Sequence, residues 1–516
     1  MATPREKLAE SLAVLHNLQK ESGEVAIKTS EIKRIHRERL QKNGFLKKVA
    51  KGWYITSNPI EKAGDNSSWH TSFWQFCSRY LKDKYDNDYF VSPEQSVLIH
   101  SGNTTIPQQL VIKAKKAPNK NIPLLHGTSI LEMKSLITQR GKTTEKMGLK
   151  ILTLPAALVH SSPTLFEKNP IDARVGLAQI SDASEMLHIL LDGSHSMIAG
   201  RIAGAFRNIG QNRIADDILK TMKSAAFDVR EKNPFRNEST AELSFREKSP
   251  YANRIRLMWR NYREHILHEF PKSPGISGDV PKYLKEIDEI YVTDAYHSLS
   301  IEHYVVSVEL IEKVRSGDWH STTNQKNKTQ RDAMAARGYW QASQKVKSSI
   351  EKILNGGNPA KVVNDDHQNW YRELFAPSVM AGILKPSDLA GYRSNQVYIS
   401  NSKHVPLHKE AVREAMPLLF ELLENEEHSS VRAVLGHFIF VFIHPYSDGN
   451  GRMGRFLMNV MLASGGYPWT VIPNEKRDAY MDALETASIA NDIGPLTQFI
   501  ADLVRNSLKG SPMARL

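Results

Sequence analysis

Residues 429–459 read SSVRAVLGHFIFVFIHPYSDGNGRMGRFLMN, and this stretch decides the fold of the C-terminal half. The run 431–443 is apolar along nearly its whole length and is too long for an ordinary strand, which predicts a buried helix. Pro445 ends that helix, because proline disfavours a helical residue before it and cannot donate an amide hydrogen. We therefore expect His444 at the end of the helix, with its ring facing the loop that follows.

The loop after this helix has the composition of an anion site. Two glycines flank an asparagine in Asp448-Gly449-Asn450-Gly451-Arg452, which permits positive φ angles and lets successive amides point at one ligand. A second helix is expected to begin near Arg452, and the free amides and dipole at its start attract phosphate. Arg452 and Arg455 are three residues apart and share one face of that helix.

The residue types in this loop point to phosphate chemistry. Asp448 offers one hard oxygen ligand, and Mg²⁺ bound to phosphates typically takes only one or two protein carboxylates. His444 has an intrinsic pKa suited to a general base. A base, a metal ligand, an anion nest and two cations thus lie within 12 residues, which predicts a phosphate-transfer site for a di- or triphosphate.

The segment HPYSDGNGRMGR, residues 444–455, resembles the Fic-family signature His-Pro-Phe-x-Asp/Glu-Gly-Asn-Gly-Arg-x-x-Arg. Tyr446 stands where the family usually has phenylalanine, and every other specified position matches. The resemblance extends over about residues 280–505. It implies a protein adenylyltransferase, which transfers AMP from ATP to a Ser, Thr or Tyr hydroxyl of a protein and releases pyrophosphate.

The resemblance assigns a role to each residue of the motif. His444 takes the proton from the acceptor hydroxyl, which attacks the α-phosphate of ATP, while Asp448 holds magnesium as cofactor. The glycines and the asparagine cradle the α- and β-phosphates, and the two arginines bind the β- and γ-phosphates. The implied catalytic residues are His444, Asp448, Asn450, Arg452 and Arg455. The implied ATP-binding residues are Gly449, Asn450, Gly451, Arg452, Arg455, Tyr480 and Asn491.

Two further segments fit elements that the family carries around this motif. Residues 391–406, GYRSNQVYISNSKHVP, are expected to form the β-hairpin flap that docks the target through Val397, Tyr398 and Ile399. Residues 476–496 resemble the helix and loop that border the adenine. Tyr480 and Asn491 are the candidate nucleotide contacts there, although helix packing explains Tyr480 equally well.

An upstream helix resembles the built-in inhibitor of many Fic proteins, which carries Ser/Thr-x-x-x-Glu-Gly/Asn. Here Ser298-Leu-Ser-Ile-Glu302-His303 places the serine and the glutamate four residues apart on one helical face. A carboxylate on Arg455 competes with phosphate oxygens for the same guanidinium. His303 departs from the pattern, and the alternative is an exposed glutamate on an ordinary helix.

The N-terminus is the most basic part of a chain whose net charge is +12, because residues 1–60 hold 12 Lys/Arg against 6 Glu and no Asp. The pattern of this region resembles a winged helix-turn-helix. A first helix is expected over 6–20, and a second is expected to be capped by Thr29 or Ser30 and ended by Gly44. The Lys51-Gly52 pair then fits the turn of a two-stranded wing. Ile32, Ile35 and Leu40 are expected to face inward. The candidate DNA-binding residues are Lys33, Arg34, Arg37, Lys47 and Lys48. The alternative is a solvated basic helix without a ligand.

The rest of the chain shows strand-like and then helical patterns. YFVSPE, QSVLIHSG and QQLVIKAKK alternate like strands, and residues 173–229 are expected to be helical. The layout of the first 230 residues resembles the AbiEi-type antitoxin regulators. Further helices are expected over 283–291, 295–315, 330–354 and 408–424.

These expectations define a multidomain fold class, in which an α+β N-terminal half begins with a winged helix and the C-terminal half is a mainly α-helical Fic fold with a β-hairpin flap. The expected domains are a winged helix (1–58), an AbiEi-like α+β regulatory domain (59–230), a linker (231–250), a helical region with the inhibitory helix (251–328) and a Fic catalytic domain (329–510).

Other features of the sequence admit interpretations different from that of a transferase. Residues 449–454 spell G-x-G-x-x-G, but the apolar run before them is too long for a strand and no βαβ pattern surrounds them, which excludes a dinucleotide fold. His437 is expected to be a core residue rather than a zinc ligand. Two alternative functions remain compatible with these residues. One is a DNA-binding or toxin–antitoxin-like regulator with a nucleotide-responsive Fic domain. The other is the removal of AMP from a protein by water, with Glu302 as the base.

The composition narrows the location and the partners. One cysteine excludes an intramolecular disulfide, and the N-terminus lacks the continuous apolar run of a signal peptide, so we expect a cytoplasmic protein without a membrane partner. The expected partners are ATP, a protein acceptor or the chain itself, and double-stranded DNA at residues 1–58. The sequence does not give the oligomeric state.

Overall fold

The computed structural model describes residues 3–22, 25–61, 65–135, 142–193, 195–235, 249–276, 278–317 and 327–516. The chain divides into two compact units, of which the first is Met1–Arg254 with Tyr398–Val405 and the second is Ile255–Val397 with Pro406–Leu516. Most of the predicted linker, residues 236–248, lies outside the described residues. Among the helices of the described ranges, none has the length and apolar character needed to cross a membrane.

The first unit combines short strands with helices. Its helices are α1 (Pro4–Ser22), α2 (Arg34–Lys42), α3 (Ser67–Tyr85), α4 (Pro93–His100), α5 (Leu154–His160), α6 (Thr164–Lys168), α7 (Pro170–Ala178), α8 (Ser184–Asp192), α9 (Ser196–Asn208) and α10 (Asn212–Ser224). Its strands are β1 (Ala26–Lys28), β2 (Leu46–Ala50), β3 (Trp53–Thr56), β4 (Tyr89–Val91), β5 (Gln109–Ala114), β6 (Lys120–Pro123), β7 (Ser129–Lys134), β8 (Thr143–Lys146) and β9 (Leu149–Leu152).

Three sheets organise these strands. One has the order β1-β3-β2 and is antiparallel throughout. A second has the order β4-β5-β7-β6, in which only the β5–β7 pair is parallel, and β8 pairs with β9. Gly52 has φ +81° in the turn between β2 and β3, as its position in the predicted Lys51-Gly52 turn requires.

The first helices pack on a small core, but one expected core residue is wrong. Ile32 and Leu40 are buried, whereas Ile35 is 60% exposed. Ile35 precedes Leu40 by five residues, which places it about 140° away around the helix. The expected cap is also wrong, because α2 begins after Lys33 rather than after Thr29 or Ser30. The winged-helix interpretation of this region stays a prediction.

The segment 95–102, expected as a strand, lies mainly in α4, so that prediction is wrong. Ser92 caps α4 by accepting a hydrogen bond on Oγ from the Gln95 amide at 3.3 Å, and Pro93 occupies the first helical position. A serine followed by proline is a strong helix start. This local signal outweighs the alternating pattern of the residues that follow.

Helices make up most of the rest of the chain. They are α11 (Pro250–Glu269), α12 (Val280–Ile301), α13 (Val308–Ser316), α14 (Asn327–Leu354), α15 (Pro359–Met380), α16 (Lys409–Asn425), α17 (Ser429–Ile443), α18 (Asn450–Ala463), α19 (Arg477–Ile489) and α20 (Gly494–Leu508). Helix α17 is buried along nearly its whole length, and α18 is buried likewise. The predicted buried helix ending at His444 is therefore confirmed.

The helix expected over 295–315 is interrupted. Helix α12 ends at Ile301, and His303 has a φ of +64°, which a right-handed helix excludes. Ser307 then caps α13 by accepting from the Leu310 amide at 3.2 Å. The break places residues 302–307 in a turn of their own, next to the motif.

The expected β-hairpin flap is wrong as secondary structure. Residues 391–406 are all described and contain no strand. The Gln396 side chain donates to the Pro406 carbonyl at 2.9 Å, and Arg393 donates to the Asn395 carbonyl at 2.9 Å and to the Leu407 carbonyl. Side chains thus take carbonyls that a ladder of paired strands would have used.

Candidate active site

The motif loop is shaped by two left-handed residues. His444 has φ 55° and ψ 61° directly after α17, and its amide donates to the Phe440 carbonyl at 3.0 Å. Gly449 has a φ of +80° and precedes the first residue of α18. Because α18 begins at Asn450, the amides of its first turn have no carbonyl one turn earlier in the helix. These amides are the donors on which the predicted anion site depends, and the anion site itself stays a prediction.

The side chain of Asn450 holds the loop together. Its Oδ1 accepts from the Tyr446 amide at 2.9 Å, and its Nδ2 donates to the Tyr446 carbonyl at 2.8 Å. The Tyr446 ring stacks on Tyr371, with 3.9 Å between centroids and 7° between planes. The structure therefore gives Asn450 a structural role through its side chain and leaves its backbone amide at the helix start.

His444 is set up to accept a proton. Its Nδ1 lies 3.3 Å from the Val441 carbonyl, a contact that assigns the ring proton to Nδ1 and leaves Nε2 as the acceptor. Burial lowers the pKa of His444 to about 4, although the Val441 carbonyl opposes that shift. The imidazole is therefore neutral at neutral pH, which is the form a general base needs.

Arg393 holds the backbone of His444 in place, a role that no pattern in the sequence indicates. The side chain is 2% exposed, and its Nε donates to the His444 carbonyl at 2.8 Å. The Arg393 amide also donates to the Pro445 carbonyl at 2.9 Å. An arginine in a turn-rich segment ordinarily faces solvent, so nothing in the sequence distinguishes this buried one.

Arg452 lies between two aromatic rings. Its guanidinium is 5.1 Å from the centroid of Tyr304 and 5.0 Å from that of Phe375, and the residue is 1% exposed. Cation–π contacts of this kind stabilise a desolvated guanidinium. Its Nε has no hydrogen-bond partner within the described part of the chain.

Asp448 is the only acidic side chain of the motif loop. One of its oxygens, Oδ1, accepts from the Gly449 amide at 2.6 Å, and Oδ2 lies 3.5 Å from a nitrogen of Arg452. The carboxylate is otherwise exposed. Across the described ranges, no group of three or more His, Cys, Asp or Glu side chains is placed to hold a metal ion.

Arg455 is buried and pairs with the end of α12. Its Nε donates to Ser298 Oγ at 2.9 Å, and its NH2 donates to the Ser298 carbonyl at 3.0 Å and to Glu302 Oε1 at 2.9 Å. Its NH1 is buried without a hydrogen-bond partner among the described residues. The structure thus brings Ser298 and Glu302 to the second motif arginine.

Glu302 also covers the start of α18. A Cβ added to Gly451 would clash with Glu302 Oε1, so the carboxylate lies directly over that glycine. Burial raises the pKa of Glu302, but Arg455, Arg452 and Arg477 outweigh it and hold the pKa below its usual range. The ionised carboxylate therefore lies where the helix dipole and the free amides attract an anion.

The backbone conformation of His303 fits a position at which the inhibitory motif of Fic proteins usually has Gly or Asn. Its φ of +64° is left-handed, a region in which glycine carries no steric cost and in which asparagine and histidine are enriched among the other residues. Arg477 fixes this end of α12, because its Nε donates to the Ile301 carbonyl at 2.8 Å and its NH2 lies 3.1 Å from His303 Nε2. The departure from the family pattern is thus compatible with the turn.

Tyr480 lies in the core rather than on an exposed wall. It is 1% exposed, and its hydroxyl is 2.7 Å from Nε2 of the buried His437. Burial raises the pKa of Tyr480 to about 12, although the charge of nearby Arg455 opposes that shift. This placement favours helix packing over a nucleotide contact.

The remaining candidates are only partly placed by the structure. Asn491 has a φ of +54° between α19 and α20 and is half-buried. Val397 belongs to the second unit, while Tyr398 and Ile399 belong to the first. Tyr398 is 37% exposed. The role of these three residues in target docking stays a prediction.

Comparison with known proteins assigns the C-terminal region to a family. Residues 365–462 match the model of the Fic/DOC family. Over 132 residues, or 25% of this chain, the identity with protein adenylyltransferase Fic is 39% for Drosophila yakuba and 39% for Drosophila melanogaster. The aligned region is 26% of each relative, so the chain spans about a quarter of the length of the curated relatives it matches.

Two solved structures are also similar. Fic-1 (aa134–508) from C. elegans is 19% identical with a TM-score of 0.37, covering 67% of this chain and 98% of that one. A Fic domain containing signaling protein from Bacteroides thetaiotaomicron is 17% identical with a TM-score of 0.36, covering 52% of this chain and 99% of that one. The assignment rests on the sequence matches: the chain carries a Fic domain, homologous to that of the Drosophila protein adenylyltransferases.

Proposed function

We propose that this chain is a protein adenylyltransferase, which moves AMP from ATP to a hydroxyl side chain of a protein. The observation that carries the proposal is the pair of buried motif arginines, each with an unpartnered nitrogen, beside the neutral His444. A buried N–H group without a partner is costly and is rare in proteins. Phosphate oxygens at the start of α18 would satisfy both guanidiniums.

The residues present account for each step of such a transfer. Nε2 of His444 takes the proton of the acceptor hydroxyl, and the hydroxyl oxygen forms a bond to the α-phosphorus. The bond between the α-phosphorus and the bridging oxygen breaks, and pyrophosphate leaves. Arg452 and Arg455 stabilise the charge on the departing phosphates, together with the amides at the start of α18.

Asp448 is the residue that fits a magnesium ion. It is an exposed carboxylate beside the anion site, and an ion bridging nucleotide phosphates needs only one or two protein carboxylates. When bound, Mg²⁺ would neutralise phosphate charge and order the phosphate chain. Asp448 would hold it through Oδ2, since Oδ1 already accepts the Gly449 amide.

We infer that Glu302 inhibits this reaction from within the chain. Its carboxylate occupies the place over Gly451 and one nitrogen of Arg455, both of which the phosphates of ATP would use. Because the neighbouring guanidiniums keep Glu302 ionised, it competes with phosphate as one anion with another. Ser298 lies one helical turn before Glu302, and its Oγ accepts from Arg455 Nε, which holds the guanidinium beside Glu302.

Incubation with ATP labelled on the α-phosphate tests the proposal. Wild type, Glu302→Gly and the double variant Glu302→Gly/His444→Ala are mixed with magnesium and cell lysate, and labelled proteins are resolved and identified by mass spectrometry. We expect protein-bound AMP with Glu302→Gly, less with wild type and none with the double variant. Equal labelling by all three would contradict the proposal, and so would an added mass other than that of AMP.

A second function, DNA binding by residues 1–58, is supported by the exposed cations there. Lys33 at the start of α2 and Lys48 on β2 are both exposed. Helix α2 is held against α1, because Arg39 donates to the Lys7 carbonyl at 2.5 Å and to Ser11 Oγ at 2.8 Å. A rigid basic helix beside a two-stranded turn suits a winged helix on a duplex backbone. A gel shift in moderate salt, with and without residues 1–58, tests it.

A further inference from the structure

One buried guanidinium joins the end of α17 to a segment more than 35 residues earlier in the chain. Arg393 is 2% exposed, and all three of its side-chain nitrogens donate to backbone carbonyls. Burial lowers the pKa of Arg393 to about 10, which leaves the side chain charged at neutral pH. Within the described ranges no carboxylate pairs with it. A buried charge without a counter-charge depends on its hydrogen bonds, so these carbonyls hold the guanidinium in one orientation.

Two of the carbonyls lie at the end of α17. Nε of Arg393 donates to the His444 carbonyl at 2.8 Å, and NH2 lies 3.5 Å from the Ile443 carbonyl. The backbone amide of Arg393 donates to the Pro445 carbonyl at 2.9 Å. The last carbonyls of a helix have no donor within the helix. Arg393 therefore supplies donors to three consecutive carbonyls, on both sides of the His444 α-carbon.

The backbone of His444 needs this support. Its φ of 55° and ψ of 61° are left-handed, a conformation that is unfavourable for a residue with a Cβ. The carbonyls on both sides of its α-carbon are bound to one planar guanidinium, which fixes the direction of the Cα–Cβ bond. At the other end of the side chain, Nδ1 lies 3.3 Å from the Val441 carbonyl. The position of Nε2 is therefore set by Arg393 and Val441 together.

The same guanidinium also binds both ends of the segment 395–407. NH1 donates to the Asn395 carbonyl at 2.9 Å, and NH2 donates to the Leu407 carbonyl. One residue inside each end, the side chain of Gln396 donates to the Pro406 carbonyl at 2.9 Å. These bonds close the two ends of the segment on each other. A displacement of either end would therefore move the guanidinium away from the motif loop.

We propose that Arg393 is a positioning residue, which holds His444 in its left-handed conformation and makes that conformation depend on the closed ends of the segment 395–407. The proposal rests on the proposed function, in which Nε2 of His444 takes the proton of the acceptor hydroxyl. Arg393 acts through the base, whereas the start of α18 and the two motif arginines act on the phosphates. Its loss should therefore slow the transfer step and spare the binding of ATP.

Kinetics of self-modification, together with calorimetry of ATP binding, test the proposal. In a Glu302→Gly parent, Arg393→Lys keeps the charge but replaces the planar fork by one ammonium, which cannot bind the loop and both ends of the segment at once. We expect kcat to fall about 10- to 100-fold, because a displacement of roughly 1 Å at a reacting group has an effect of that size. KM for ATP and the affinity for ATP should stay within about 2-fold of the parent, since no phosphate contact is lost.

A matched control lies at the other end of α17. Arg432 is half-buried and also donates to backbone carbonyls, to that of Glu426 at 2.6 Å and that of Glu427 at 3.2 Å. Arg432→Lys removes comparable hydrogen bonds away from the base, so kcat should equal that of the parent.

A second variant opens the segment without altering the buried charge. Gln396→Ala removes the hydrogen bond to the Pro406 carbonyl and leaves Arg393 in place. We expect kcat to fall about 3- to 10-fold with the affinity for ATP unchanged, because the guanidinium is held less firmly. If Arg393→Lys fails to fold, Gln396→Ala decides the proposal.

Nuclear magnetic resonance of histidine-labelled protein reports the position of the base without any transfer. The imidazole signal of His444 is assigned by its absence from His444→Ala. We expect this signal to shift or broaden in Arg393→Lys and in Gln396→Ala, and to stay in place in Arg432→Lys.

The outcomes separate this proposal from the proposed function. An unchanged kcat in Arg393→Lys, or a loss of ATP affinity as large as the loss of kcat, would overturn the positioning role. An unchanged kcat in Gln396→Ala would overturn its dependence on the segment. A parent that binds ATP but transfers no AMP would contradict the proposed function alone. In that case the His444 signal decides the positioning role, which an unchanged signal in Arg393→Lys would overturn.

Discussion

Two groups of cations in this molecule are predicted to meet phosphate, and their environments differ. Arg452 and Arg455 are 1% and 4% exposed, and each has a buried nitrogen without a partner among the described residues. Lys33, Arg34 and Lys48, by contrast, are exposed at the surface. Arg34 keeps 82% of its side chain exposed and pairs with Glu38 at 2.6 Å, while Lys47 pairs with Glu61.

This difference in burial determines how strongly each group of cations indicates a bound ligand. An exposed lysine or arginine is satisfied by water, and a surface ion pair adds at most about 1 kcal/mol. A buried N–H group without a hydrogen-bond partner destabilises the fold by about 1–3 kcal/mol. A protein retains such a group where it serves another purpose, such as binding a ligand. The motif arginines therefore point to a ligand, whereas the basic helix is equally compatible with solvent alone.

The largest effect is expected at the neutral base between the two motif helices. His444→Ala should reduce AMP transfer about 10²- to 10⁴-fold, because no other described imidazole occupies that place in the loop. ATP binding, measured by calorimetry, should be nearly unchanged, since both arginines remain. His428→Ala removes an exposed histidine and serves as the control. Transfer at the parental rate by His444→Ala would exclude this base.

The next effect is expected at the carboxylate over α18. Glu302→Gly should raise self-modification about 10- to 100-fold, because a charged hydrogen bond that excludes phosphate is worth about 1.5–3 kcal/mol. Incorporation of label from α-labelled ATP measures it. Glu309→Ala, an exposed glutamate on α13, should leave the rate unchanged. If Glu302→Gly stays folded and no faster, Glu302 does not inhibit.

A smaller effect is expected when pH is varied for the Glu302→Gly variant, in which the inhibitory carboxylate is absent. The pKa of His444 is lowered to about 4, so the base stays neutral as pH falls from 8 to about 5. Glu302 tends to raise that pKa, and its removal lowers it further rather than restoring it. The transfer rate of Glu302→Gly should therefore be nearly flat over this range. A loss of rate with a midpoint near the ordinary pKa of histidine would contradict a base that is neutral over this range.

The smallest effect is expected at the exposed cations. A Lys33→Ala/Lys48→Ala variant should weaken binding to a short duplex several-fold and reduce the salt slope by about 2, since each lost phosphate contact removes roughly 0.9. Fluorescence anisotropy at several salt concentrations measures this. Lys285→Ala, a 78% exposed lysine of α12, is the control. An unchanged salt slope would show that these two lysines contact solvent and not the DNA phosphates.

The sequence predicted the parts of the site that depend on local rules. Pro445 and the glycines around Asn450 place the end of α17 and the start of α18, and the spacing of Ser298 and Glu302 places both on one helical face. These signals act over a few residues. Each depends on backbone conformation or on helical periodicity, which a sequence displays directly.

The parts that were missed depend on contacts distant in sequence. Arg393 binds the carbonyl of His444 from 51 residues away, and Arg452 is enclosed by Tyr304 and Phe375 from two other segments. No pattern within 391–406 shows that its carbonyls are taken by side chains rather than by a strand. Tyr480 was assigned by resemblance, and only the packing against His437 shows where its hydroxyl goes.

The most direct test of the central claim is a crystal structure of the Glu302→Gly variant with ATP and magnesium. We expect phosphate oxygens on the amides at the start of α18, with one of them on NH1 of Arg455 and the α-phosphorus within reach of an acceptor beside His444 Nε2. A nucleotide bound elsewhere, or an unfilled site at saturating ATP, would contradict the account.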